Sequence, residues 1–201
     1  EHQRYFPVSK DGKLLPYFIA VRNGDKHAID IVKAGNEKVL EARLADALFF
    51  YDEDIKKPLE SFVENLKTVV FQAKLGTVYD KTLRIEKLAQ DIVETLDEKE
   101  ILNDTLRAAK LCKADLVTNM VFEFTELQGV MGREYAKVGG ENDAVAQAIF
   151  EHYLPRFAGD ILPQTQEGVA LSIADKLDSI AGFFAIGIQP TGSQDPYALR
   201  R

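Results

Sequence analysis

Asn36-Glu37-Lys38-Val39-Leu40-Glu41-Ala42-Arg43-Leu44-Ala45-Asp46-Ala47-Leu48-Phe49-Phe50 is where the pattern of this 201-residue chain changes character. Apolar side chains recur at Val39/Leu40, Leu44 and Ala47/Leu48, the 3.6-residue period of a helix with one buried face. Asn36 stands before the run as an N-cap, its short amide able to accept from a backbone N–H of the first turn. Upstream the period is two. Tyr5-Phe6-Pro7-Val8 and Leu14 to Val21 flank Ser9-Lys10-Asp11-Gly12-Lys13, and Asp-Gly is a hairpin signal because both central turn positions favour positive φ. Pro7 and Pro16 remove a ladder donor from each strand, so these are edge or irregular strands. An isolated hairpin is marginal in water. The expected fold is therefore mainly α: residues 36–201 form a helical domain, and residues 1–35 are a hairpin and linker belonging to a preceding domain.

The rest of the chain extends the helical reading. Leu59 to Leu75 repeats the pattern through Phe62, Val63, Leu66, Val69 and Val70. Tyr79 to Leu96 is a third helix, and Asp97 caps a fourth that starts at Glu98 and runs through Leu102, Leu106 and Ala109. Ala114 to Leu127 continues or restarts it. Gly129, Gly132, Gly139 and Gly140 suggest a loop-rich connection. Ala144 to Leu154 is a short helix stopped at Pro155, and Gln166 or Glu167 opens the last one, which runs to about Phe184.

Composition narrows the function. A net charge of −7 argues against a generic nucleic-acid binder while leaving room for a local basic stripe. Glycine-rich nucleotide loops and Cys-x-x-Cys pairs are absent. The single cysteine, Cys112, excludes an internal disulfide framework and reads as a packed thiol beside Ala108 and Ala109. Three histidines (His2, His27, His152) leave little material for a metal site, and His152 at a helix end reads as a capping imidazole. Glu123 and Glu126 have acid/base spacing but no partner motif. No apolar stretch approaches the ~20 residues of a membrane span. Glu1-His2-Gln3 is neither an initiator Met nor a signal peptide, so the expectation is a piece of something longer.

One set of residues resembles the HD superfamily of metal-dependent phosphohydrolases. Ala108-Ala109-Lys110-Leu111-Cys112-Lys113-Ala114-Asp115-Leu116 looks like that fold's middle motif, with Ala114 where its His stands. Ile173-Ala174-Asp175-Lys176-Leu177-Asp178 looks like the late motif and keeps its acid, Asp175. The early position falls near Lys81, again without His. Two imidazoles exchanged for Ala and Lys cannot build the same metal cage. The resemblance implies a degenerate site in which any metal would rest on Asp115 and Asp175, or in which Lys81 fills the vacancy with its own charge.

A second resemblance covers nearly the whole chain. Gln3-Arg4-Tyr5-Phe6, Gly35-Asn36-Glu37-Lys38-Val39-Leu40, Leu75-Gly76-Thr77-Val78-Tyr79-Asp80-Lys81, Glu123-Phe124-Thr125-Glu126-Leu127-Gln128-Gly129 and Pro190-Thr191-Gly192-Ser193-Gln194-Asp195-Pro196-Tyr197-Ala198-Leu199-Arg200-Arg201 resemble, in order, segments of the bacterial glycyl-tRNA synthetase beta subunit. That resemblance implies a cytoplasmic two-alpha, two-beta enzyme joining glycine to tRNA(Gly). ATP and Mg would act through the alpha subunit, with no cofactor or metal, no catalytic residue and no membrane in this chain. If the domain meets tRNA, phosphates should meet cations. The candidates are Lys67, Lys74, Lys81 and Arg84, with Lys67, Lys74 and Lys81 on one helical side if the helix survives Gly76. Arg107, Lys110 and Lys113 form a second group, and Arg200 and Arg201 a third. The competing readings are a metal phosphohydrolase and a purely architectural domain.

Overall fold

The computed structural model describes residues 5–190 together with Asp195 and Leu199. Arg200 and Arg201 lie outside the described residues. The chain is mainly α-helical behind an N-terminal hairpin, and it divides into two compact units, residues 1–49 and 50–201.

In the first unit, β1 (Tyr5–Lys10) pairs antiparallel with β2 (Lys13–Ala20). Asp11 and Gly12 turn the chain at φ 52° and 74°, a conformation that glycine adopts without steric cost. The register slips between Pro7 and Ser9, where the ladder loses a donor. Tyr5 and Phe18 meet edge to face at 5.3 Å across the pair. Helix α1 (Ile29–Asp54) starts well before Asn36, which corrects the N-cap reading. Asn36 is interior to the helix and its Oδ1 accepts from the Tyr5 hydroxyl at 3.4 Å.

The second unit holds the core. Leu59–Thr68 is a 3-10 helix, and the expected α-helix to Leu75 is replaced by β3 (Val70–Gln72) paired with β4 (Gly76–Thr77). Gly76 at φ 85° permits the reversal, and Gln72 Oε1 accepts from the Lys74 and Leu75 amides inside the turn. Thr77 and Asp80 then form a reciprocal capping box that starts α2 (Val78–Thr95). Asp97 is no cap: it sits at φ 58°, and the chain passes through a 3-10 turn, Lys99–Ile101, into α3 (Leu102–Leu111). Two more 3-10 turns, Ala114–Val117 and Thr125–Leu127, flank α4 (Asn119–Glu123).

Helix α5 (Val130–Val138) occupies the stretch expected to be a loop. Its bounding glycines act as caps, Gly129 at φ 78° before it and Gly139 after it. Gly132 lies inside the helix because a Cβ there would come within 2.8 Å of Ile149 Cγ2 and 3.0 Å of Asp115 Oδ2. Asn142 caps α6 (Asp143–Glu151) and Thr165 caps α7 (Gln166–Ala185), each accepting from a first-turn amide.

Helices α2, α3, α6 and α7 pack on one another around Ile85, Ala89, Val93, Leu111, Ile149, Leu171 and Phe183. Each large apolar side chain buried there contributes about 1.5–3 kcal/mol relative to exposure. Asp54, the last residue of α1, is itself buried and gathers four donors. They are the Asn119 amide (3.0 Å) and side chain (2.9 Å), the Met120 amide (2.9 Å) and the Tyr135 hydroxyl (2.9 Å). Four charge-assisted bonds satisfy a carboxylate that burial would otherwise penalise. Among the described residues no helix is long and apolar enough to cross a membrane.

Candidate functional site

The sequence puts two like-spaced pairs on facing helices, Lys81 and Arg84 on α2 and Asp175 and Asp178 on α7. Because residues three apart share a helical face, the packing of α2 against α7 brings all four together. Lys81 is buried, with Nζ 2.8 Å from Asp175 Oδ1, 2.9 Å from Asp178 Oδ2 and 2.9 Å from the Ser179 hydroxyl. The approach to Oδ1 is an ion pair without hydrogen-bond alignment, so that oxygen accepts no directed bond. Arg84 closes the far side, its Nε 2.5 Å from Asp178 Oδ1 and an amino nitrogen 3.0 Å from the Leu75 carbonyl.

Lys113, between α3 and the Ala114–Val117 turn, completes the cluster. Its Nζ donates to Asp175 Oδ2 and to His152 Nε2, both at 2.9 Å, and lies 4.2 Å over the Tyr153 ring. His152 Nδ1 faces the Ile149 carbonyl at 2.5 Å, which can only accept. The ring is therefore the Nδ1–H tautomer, and Nε2 offers its lone pair to the ammonium.

Titration follows from these neighbours. Burial opposes the charge on Asp175, but the Lys113 and Lys81 ammoniums outweigh it and hold the carboxyl far below the usual range. Burial likewise opposes the Lys113 charge, and Asp175 reverses that and raises its pKa. Burial, then Lys113, drives His152 well below its ordinary value and keeps it neutral. Burial pushes the Cys112 thiol up to about 12.

Of the positions that resemble a degenerate HD motif in sequence, Lys81 and Asp175 meet and the others do not join them. Ala114 is buried, and Asp115 turns to the start of α5, where Oδ2 accepts from the Gly129 (2.6 Å) and Gly132 (3.1 Å) amides while Oδ1 has no hydrogen-bond partner. Burial raises its pKa to about 6. Among the described residues no group of three or more His, Cys, Asp or Glu is placed to hold a metal ion.

The expected basic stripe does not exist as one helical side. Lys67 lies in the 3-10 helix paired with Glu64, Lys74 is exposed in the β3–β4 turn, and Lys81 is buried in α2. In the second group Arg107 binds Glu60 and Glu141, Lys110 binds Glu60, and Lys113 is buried. Sequence reasoning misses Asp178 as a partner of Lys81; His152 is the expected capping imidazole, at the C-cap of α6 against the Ile149 carbonyl, but its contact with Lys113 is missed. A signal for Asp178 exists: two acids three apart on a largely apolar helix share one face, and if that face is buried they need cations to meet.

This geometry defines a helical module whose interior is tied by an ion network of its own lysines and aspartates. Comparison with known proteins gives the particular family. All 201 residues match the profile described as glycyl-tRNA synthetase beta subunit, and the chain belongs to that family. It is 79% identical to the glycine–tRNA ligase beta subunit of Clostridioides difficile (strain 630) over 201 residues, all of this chain and 29% of that protein. It is 64% identical to the corresponding subunit of Desulforamulus reducens and 56% to that of Trichodesmium erythraeum, again covering 100% of this chain and 29% of each relative.

Proposed function

We propose that this chain is a non-catalytic, HD-like part of the beta subunit of a cytoplasmic glycine–tRNA ligase, supporting tRNA placement and subunit assembly. In this reading the partners are tRNA(Gly) and an alpha subunit in a two-alpha, two-beta tetramer, and ATP and Mg act through the alpha subunit. The observation that carries the non-catalytic reading is the occupation of Asp175: ammonium groups of Lys81 and Lys113 stand within 2.8 and 2.9 Å of its two oxygens. A carboxylate neutralised in this way has no open position for a metal-bound water. RNA binding then falls to the cations that face solvent, Lys67 and Lys74 first.

The test uses the full beta subunit assembled with its alpha subunit. Lys67→Gln with Lys74→Gln should raise the KM for tRNA and shallow its salt dependence by about two units, near −0.9 for each phosphate no longer neutralised. Pyrophosphate exchange with glycine and ATP should stay at the wild-type rate. Unchanged tRNA kinetics would remove these lysines from RNA binding and favour the architectural reading. Nucleotide hydrolysis abolished by Asp175→Ala would favour the phosphohydrolase.

A further inference from the structure

Helix α7 is charged inside and apolar outside. Past its first turn, which holds Glu167, its ionic residues Asp175, Lys176 and Asp178 are drawn inward, the aspartates to Lys81 and Lys113, and Lys176 to the Leu154 carbonyl at 2.8 Å. From Val169 onward, every exposed position of the helix holds an apolar residue: Val169, Ile173, Leu177, Ile180, Ala181, Phe184 and Ala185. The five large side chains keep between 37% and 49% of their surface in solvent. They follow one another at spacings of four, four, three and four residues. That is the seam a second helix packs into at a shallow crossing angle, and it runs for about 22 Å. A helix whose outward face is a continuous apolar stripe is a helix that packs on that side too.

The area points to the occupant. Five partly exposed large side chains leave on the order of 400 Å² of apolar surface, about half of the ~800 Å² per partner that a stable interface between separate proteins buries. A patch of that size is held closed most readily by a segment of the same polypeptide, whose effective concentration stands in for the missing area. Such polypeptide exists in the family: these 201 residues span 29% of the length of the relatives they match.

We infer that the Val169–Phe184 face of α7 is the docking surface for an amphipathic helix of the same beta subunit, supplied from outside residues 1–201. The inference rests on family membership and not on the RNA reading. Its occupant is a helix with apolar residues at matching three- and four-residue spacing and no charge along the seam.

A photoreactive phenylalanine analogue at Leu177, and separately at Phe184, tests this in the full beta subunit assembled with its alpha subunit, with the same analogue at exposed Phe122 as the control site. Irradiation should give a product with the mass of a single beta chain. Peptide mapping should place the link on a helical segment outside residues 1–201. A product with the mass of beta plus alpha, of two beta chains or of beta plus tRNA would overturn the inference, as would a link within residues 1–201 or a yield no greater than at Phe122. Because the analogue replaces side chains that are half exposed in this fold, folding is not at stake. Leu177→Lys gives a second readout: limited proteolysis of the full subunit should release the α7-containing body several times faster than from wild type, and an unchanged rate counts against the docked helix.

Discussion

Replacing Asp175 with Asn removes one negative charge and leaves the shape almost unchanged. Two ammoniums then lose a counter-ion at 2.8 and 2.9 Å. Lys81 keeps Asp178, also at 2.9 Å, whereas Lys113 is left with a neutral imidazole and a tyrosine ring. Breaking a buried pair from one side costs about 3–5 kcal/mol, because the surviving charge stays desolvated. For a chain of this size 1 kcal/mol shifts the unfolding midpoint by about 2–4 °C, so Asp175→Asn should unfold roughly 6–20 °C lower. Thermal unfolding of the 201-residue chain followed by far-UV circular dichroism reads this directly. Lys113→Met in the Asp175→Asn background removes the stranded cation and should recover part of the loss, giving a coupling of about 1–3 kcal/mol. An Asp175→Asn midpoint within about 2 °C of wild type, or strictly additive effects in the pair, would refute the account of the cluster as mutually dependent charges.

Burial raises the Asp115 pKa from its ordinary 3.8 to about 6, so folding shifts its balance toward the protonated form. Its contribution is complete below pH 3.8 and is lost as pH rises through about 6, amounting to about 3 kcal/mol. The midpoint of wild type relative to Asp115→Asn should therefore fall between about pH 4 and 6 and level off above; a gap that is flat with pH would contradict this. Gly132→Ala forces a methyl against Ile149 and Asp115 and should destabilise by about 1–3 kcal/mol in denaturant unfolding, against a wild-type-like midpoint if α5 shifts freely. Cys112, buried with its thiol pushed up to about 12, should react with an aromatic disulfide reagent at pH 8 about a thousandfold slower than in the urea-unfolded chain, and equal rates would show an open thiol.

The 3.6-residue period suffices for α2, α6 and α7, because each buries one face and carries a clear cap or proline boundary; it finds α1 as a helix, but the Val39, Leu44 and Leu48 face expected to be buried is exposed and its N-cap is misplaced. It fails at Leu59–Leu75, where Val69-Val70-Phe71 reads equally well as strand and Gly76 at φ 85° decides for a hairpin. It fails at Val130–Val138 for the opposite reason. Glycines there read as breakers, yet Gly129 caps the helix, and Gly132 is required by Ile149 and Asp115, which lie far away in sequence. Spacing alone places Lys67, Lys74 and Lys81 on one side, and the intervening turn separates them. Lys81 against Asp175 is legible through the HD resemblance, whereas Lys113 and His152 are not. Nothing local to either residue indicates the partner 39 positions away.

The two ammoniums around Asp175 differ from any exchangeable cation in being part of the polypeptide. They arrive with synthesis, one of each for every chain, and need no loading step. A chelator cannot strip these two cations, and a foreign ion would have to displace a covalently tethered side chain to reach Asp175. The charge balance at Asp175 owes nothing to an ion drawn from solution. What it depends on instead is two specific codons, since a lysine lost by mutation cannot be replenished from solution.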